Sequence, residues 1–184
     1  MKAHAICGVV SNIITAAEVT TTDSADAPQL PLLLARTDEH FNVRELSGDK
    51  AYLSRTNLHA IAGVGARGFI PFKSNSVARS GHHRRDLLWE RAFHYFNLKR
   101  AEFLDHYHKR SNIETTFAMV KSKFGHAVRS KSPAAQINEV LLKFVAHNIC
   151  CLIQSAFEMG VDPLTMAATE HTSPATKLAG NHGF

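Results

Sequence analysis

Three cysteines in 184 residues cannot build a disulfide framework, because Cys150 and Cys151 are adjacent and Cys7 lies in an apolar run. That excludes a small stapled scaffold and points to reduced thiols in a cytosolic protein. No charged-then-apolar leader is visible. The most apolar stretch, near residues 137–157, is broken by Lys143, His147, Asn148 and Gln154, which argues against a membrane span. G-x-S-x-G, Walker and dinucleotide-binding patterns are all missing, so the chain lacks the signatures of those hydrolases, nucleotidases and dehydrogenases. Twelve histidines are present, but His82-His83, His106 and His108 do not have zinc-site spacing. No internal repeat appears.

What is present is enough for one domain, or one domain with a helical appendage. The chain is 45% hydrophobic and can bury a sizeable core. Its net charge of +5 is unevenly spread. Residues 1–72 hold six Lys and Arg against seven acids, and residues 132–184 hold two against four. Residues 73–131 hold thirteen against five, a net of +8. A basic block between near-neutral flanks suits either a polyanion-facing surface or an ordinary solvated face.

The first 72 residues alternate strand and helix signals. "KAHAICGVVSNIITAAEVTT" predicts two strands around a Ser11-Asn12 turn, rich in Val, Ile and Thr. "SADAPQLPLLLART" predicts a helix with Leu30, Leu33 and Leu34 on its apolar face. Phe41, Val43 and Leu46 predict a strand running into a Gly48-Asp49 turn, followed by a short helix over 55–64 and a strand in "RGFIPF". This order belongs to the mixed α/β class. Residues 73–85 are a polar, basic linker, and residues 86–168 are helical. Ser132-Pro133 opens a long helix whose predicted stripe is Ile137, Val140, Leu141, Phe144, Asn148, Ile149, Leu152, Ile153 and Ala156. Residues 169–184 are polar, small and unpatterned, the composition of a frayed tail.

"YHKRSNIETTFAMVK" carries the most chemistry. If one helix runs through residues 107–121, Tyr107, Arg110, Glu114 and Lys121 fall within roughly 60° of one another. Ile113, Phe117, Val120 and Phe124 would form the adjoining core-facing stripe. A carboxylate flanked by two cations and a phenol suits metal ions and phosphates. Two plainer readings stand beside it. Ser111-Asn112-Ile113-Glu114 is also a capping box, and Arg110 with Glu114 is an ordinary helix-surface ion pair.

Tyr107, Arg110, Glu114 and Lys121 form Y-x2-R-x3-E-x6-K, and this pattern resembles the signature of bacterial insertion-sequence DDE transposases. "SGDKAYLS" resembles the strand end that carries the second catalytic aspartate of that family, here Asp49. "KAHAICGV", "GFIPFKSNS" and "HNICCLIQSAFE" resemble further segments, so the likeness covers roughly residues 2–160.

The resemblance implies an RNase H-like fold, a mixed sheet flanked by helices with a helical C-terminal half. It implies Mg²⁺ or Mn²⁺ held by Asp49 and Glu114 and two-metal cleavage and strand transfer at DNA phosphodiesters. Tyr107, Arg110 and Lys121 would position DNA phosphates, with Lys73, Arg129 and Lys131 as weaker DNA-binding candidates. DNA is the implied partner, with homo-oligomers of the full-length protein and a bacterial cytoplasmic location. One departure matters. The family's first aspartate lies on a central strand upstream of the "KAHAICG" strand, and this sequence starts at that second strand. Asp23 and Asp26, in a turn-to-helix segment, are poor substitutes. The expectation is therefore the C-terminal portion of the catalytic domain, inactive alone. The alternative is a truncated remnant that only binds DNA or the full-length transposase.

Overall fold

Two β-branched-rich segments pair around a turn at the start of the computed structural model, which describes residues 1–79 and 85–160. β1 (Lys2–Cys7) and β2 (Ile14–Thr20) run antiparallel, from Lys2 opposite Thr20 to Cys7 opposite Ile14, with an irregularity between Ile6 and Cys7. The turn closes through Gly8 N–H donating to the Ile13 carbonyl at 2.9 Å, with Asn12 at φ 56°. Asparagine is among the residues that tolerate this left-handed region best.

A 3-10 turn at Ala27–Gln29 leads into α1 (Leu30–Asp38), which buries Leu30, Leu33 and Leu34 as the sequence predicts. β3 (Glu45–Ser47), α2 (Arg55–Gly63) and β4 (Arg67–Phe69) form a strand–helix–strand unit. β3 and β4 pair in parallel, Leu46 opposite Gly68. The strand expected from Phe41 is thus only three residues long, because Phe41 and Asn42 lie outside the ladder and Phe41 is exposed. The described strands form two separate two-stranded sheets. The class is mixed α/β with a helical C-terminal half: α3 (Leu87–Leu98), α4 (Arg100–Tyr107), α5 (Ser111–Phe124) and α6 (Pro133–Glu158).

The contacts divide the chain into two compact units, Met1–Asn148 and Ile149–Phe184. The first holds three apolar clusters. Leu30, Leu34, Leu46, Ile61 and Ile70 fill the space around α1 and the parallel pair. Leu58, Phe69, Phe72, Phe96 and Phe103 form an aromatic cluster that docks α3 and α4 against β4. Ile14, Val120 and Phe144 join β2, α5 and α6. Asn148 locks the last of these from the side, accepting from Ile14 N–H at 2.8 Å and donating to the Ile14 carbonyl at 2.7 Å. His147 is buried beside it, with Nε2 3.0 Å from the Asn12 carbonyl.

α6 is long and apolar enough to cross a bilayer by length and composition alone. In the first unit, however, it is a packing helix, with Phe144 in the core and Asn148 clasping β2. The predicted stripe needs correction. Phe144, His147 and Cys151 are buried, whereas Ile149, Leu152 and Ile153 are more than half exposed. Positions 144, 147 and 151 follow the three-then-four helical step, so 149, 152 and 153 turn to another side. The second unit is described only over the end of this helix and its closing turn at Gly160. The expected tail at 169–184 and part of the basic linker lie outside the described residues.

Candidate active site

Asp49 follows β3 through Gly48, whose N–H donates to the Phe69 carbonyl across the parallel pair. Its own carboxylate caps the next 3-10 turn, Lys50–Tyr52, by accepting from Ala51 N–H at 3.0 Å. Local chemistry therefore explains why an aspartate can sit there, and one carboxylate oxygen remains for other work.

The segment carrying the other motif residues is not one helix, so the straight-helix alignment of Tyr107 to Lys121 is corrected. α4 ends at Tyr107, a 3-10 turn spans His108–Arg110, and α5 begins at Ser111. The capping box does not form either. Ser111 Oγ donates to the His108 carbonyl at 2.9 Å, and the N-cap position of α5 is Arg110, which makes no side-chain cap. Glu114 is free to face Arg110 instead.

Arg110 is the centre of the cluster. Its guanidinium lies 2.8 Å from Glu114 Oε1 and 3.8 Å from Asp49 Oδ2, so one planar cation reaches both carboxylates. It also lies over the Tyr107 ring, 5.8 Å from the centroid. Burial works against its charge, but Tyr107, Glu114 and Asp49 outweigh that effect and hold its pKa above the ordinary value. Tyr107 in turn stacks on Phe103 of the aromatic cluster. The Asp49 and Glu114 side chains are 46% and 63% exposed, open enough to meet a large ligand.

The other predicted residues are more dispersed. Lys121 lies two helical turns beyond Glu114, about 10 Å along α5. It borders a cavity of about 500 Å³ together with Phe117, Val120, Val140 and Phe144. Lys73, Arg129 and Lys131 are exposed in loops, and none bonds to the Asp49–Arg110–Glu114 group. Glu139 fixes the loop of Arg129, accepting from Arg129 N–H and Ser130 N–H, each at 2.9 Å. Those bonds, chiefly from Ser130, hold the Glu139 carboxyl down to about 2. Asp26 is taken by Lys2 at 2.8 Å and stands apart from the Arg110-bridged group.

Sequence reading missed a second cluster at the same junction. Glu45 of β3 lies 2.9 Å from both His106 Nδ1 and Lys109 Nζ. Ser47 Oγ donates to the His106 carbonyl at 2.8 Å, and the His106 ring stacks on Phe69 at 4.3 Å and 6°. Lys109 and then His106, by hydrogen bonding, hold the Glu45 carboxyl below its usual range. Only the pairing of β3 with a helix far along the chain creates this group, so no local spacing announces it.

Arg110 thus brings Asp49, Glu114 and the Tyr107 phenol into one group. The chain belongs to the DDE transposases: the family model for the transposase DDE domain matches residues 1–149. Neither a curated protein nor a solved structure matches it. The membership places its function in DNA transposition and recombination, with DNA as partner, in a family that typically uses divalent metal ions. Asp49 and Glu114 fit such ions in donor type, and Arg110 already supplies positive charge at the point where they converge. No group of three His, Cys, Asp or Glu with metal-binding geometry occurs among the described residues.

Proposed function

We propose that this chain carries catalytic residues of a DDE transposase, with Asp49 and Glu114 as metal-holding carboxylates. The observation that carries the reading is Arg110, which is in contact with both acids although they are far apart in sequence. Asp49 and Glu114 would hold divalent ions, which would supply activation of a water or a 3′-hydroxyl and stabilisation of the leaving oxygen of a phosphodiester. Asp49, with one oxygen committed to Ala51 N–H, offers the other from a fixed position. Glu114 offers its carboxylate from the first turn of α5. Arg110 and Tyr107 orient phosphate oxygens, and Lys121 holds the strand further along the helix. Lys73, Arg129 and Lys131 add sequence-independent attraction.

A third carboxylate would complete the metal set that Asp49 and Glu114 begin. Among the described residues, β1 and β3 each have an unpaired edge on which a further strand could add. Homo-oligomers of the full-length protein belong to the same proposal, with Leu142 and Val145 of α6 exposed in the first unit. A cytoplasmic location follows from the substrate.

The second reading is a remnant that binds DNA without cutting it. A plasmid-nicking assay with Mn²⁺ separates the two. The chain alone should nick no more than Glu114→Gln. Fusion of an aspartate-bearing strand ahead of β1 should restore nicking that Glu114→Gln abolishes. A fused chain that folds and binds DNA but never nicks would leave the remnant reading standing.

A further inference from the structure

We infer that Glu45, His106 and Lys109 form a positioning clamp that sets Arg110 and Glu114 against Asp49, an inference that rests on the metal-site reading above. Asp49 lies four residues beyond Glu45, just past the end of β3, while Arg110 and Glu114 lie shortly after His106 and Lys109. The two halves of the site therefore meet only as well as β3 meets the α4–α5 junction. Four contacts fix that meeting. Glu45 accepts from Lys109 Nζ and His106 Nδ1, Ser47 Oγ donates to the His106 carbonyl, and the His106 ring lies flat on Phe69.

Each contact has a distinct directional role. An ionised carboxylate only accepts hydrogen bonds, so Glu45 fixes the His106 tautomer with its proton on Nδ1. The stack holds the ring plane against β4, and the Ser47 bond holds the backbone of the last turn of α4. Lys109 adds a charge-assisted bond from the 3-10 turn itself. The turn differs from a continuous helix and would be free to re-form as one without an anchor. Re-forming it would rotate Glu114 away from Asp49. The clamp residues touch neither ligand nor DNA in this scheme. They act by holding the residues that do, and changes to such supporting partners typically cost metal affinity by an order of magnitude or more.

The test measures Mn²⁺ affinity of the full chain by calorimetry, as a double-mutant cycle between Asp49→Asn and Glu114→Gln. In the unaltered chain the two losses should be non-additive, because both carboxylates serve one metal site. The cycle is then repeated in His106→Phe, which keeps a ring on Phe69 but loses the donor, and in Lys109→Met, an exposed change that leaves folding intact. Both should weaken Mn²⁺ about tenfold and abolish the coupling, while melting curves show a folded protein. His106→Asn, which restores a donor near the Nδ1 position, should recover part of the coupling. Undiminished coupling in folded His106→Phe and Lys109→Met overturns the clamp and leaves the metal site in place. Loss of the coupling without rescue by His106→Asn also counts against it. If Asp49 and Glu114 show no coupling in the unaltered chain, the metal-site reading fails and the clamp falls with it.

Discussion

Arg110 shows how one side chain can answer two requirements. Without a divalent ion, a cation that reaches Asp49 and Glu114 relieves the repulsion between them. A metal entering the same place competes with it, and the released guanidinium becomes available to phosphate. Arg110→Gln should therefore tighten Mn²⁺ binding severalfold while weakening DNA binding, as linkage between competing cations requires. Lys121→Gln removes the same charge without that contact, so it should weaken DNA binding and leave Mn²⁺ affinity nearly unchanged. Calorimetry on both variants checks this, and looser Mn²⁺ binding in Arg110→Gln would contradict it. His4, which is buried, gives a pH signature. Its ring nitrogens lie 3.0 Å from Tyr52 Oη and Thr20 Oγ1, and burial lowers its pKa below 6.5 against the opposing pull of Asp26. Lys2 lowers it further, and Glu18 raises it slightly. A base with a depressed folded-state pKa favours the fold above its unfolded value and loses that contribution as pH falls through the folded value. Urea midpoints should thus fall between pH 7 and pH 5, and His4→Gln should flatten that part of the fall.

Helix and strand identities follow from local pattern, whereas their joints do not. The Leu30, Leu33 and Leu34 face, the Ser11-Asn12 turn and the Ser132-Pro133 helix start are all legible because neighbouring residues decide them. The break of α4 at Tyr107 and the failure of the Ser111 cap are not, because Glu45, Ser47 and Phe69 pull on that junction from another part of the chain. The same holds for α6. Its periodicity is readable over its whole length, but Asn148 and His147 choose the buried side by bonding to Ile14 and Asn12. Asn148→Ala would leave both backbone groups of Ile14 without their side-chain partner. A loss of about 2 kcal/mol is expected, the scale of unsatisfied polar groups, read as a lower urea midpoint at constant slope.

Across the whole molecule, the basic block of the sequence and the site residues overlap. The net +8 of residues 73–131 covers the segment that carries Tyr107, Arg110, Glu114 and Lys121. DNA affinity should fall steeply with salt through counterion release, with little sequence preference. Reversing Arg110 and Lys121 to glutamate should weaken binding far more than reversing Arg36 and Lys177, which lie outside the block. The resemblance read from Asp49 and the four-residue motif reaches the same family as the match over residues 1–149. The sequence could not reveal that Arg110 joins the two acids, because that contact depends on the packing of β3 against the α4–α5 junction.

The central claim is that Asp49 and Glu114 belong to one divalent-metal site. Fe²⁺ substituted at the site, with ascorbate and peroxide, generates hydroxyl radicals that cut the backbone only near the bound ion. The account predicts two cuts, one beside Asp49 and one beside Glu114, both suppressed by excess Mg²⁺ and both lost in either Asp49→Asn or Glu114→Gln. Cutting at one position alone, or cuts confined to the His82-His83 segment, would contradict it.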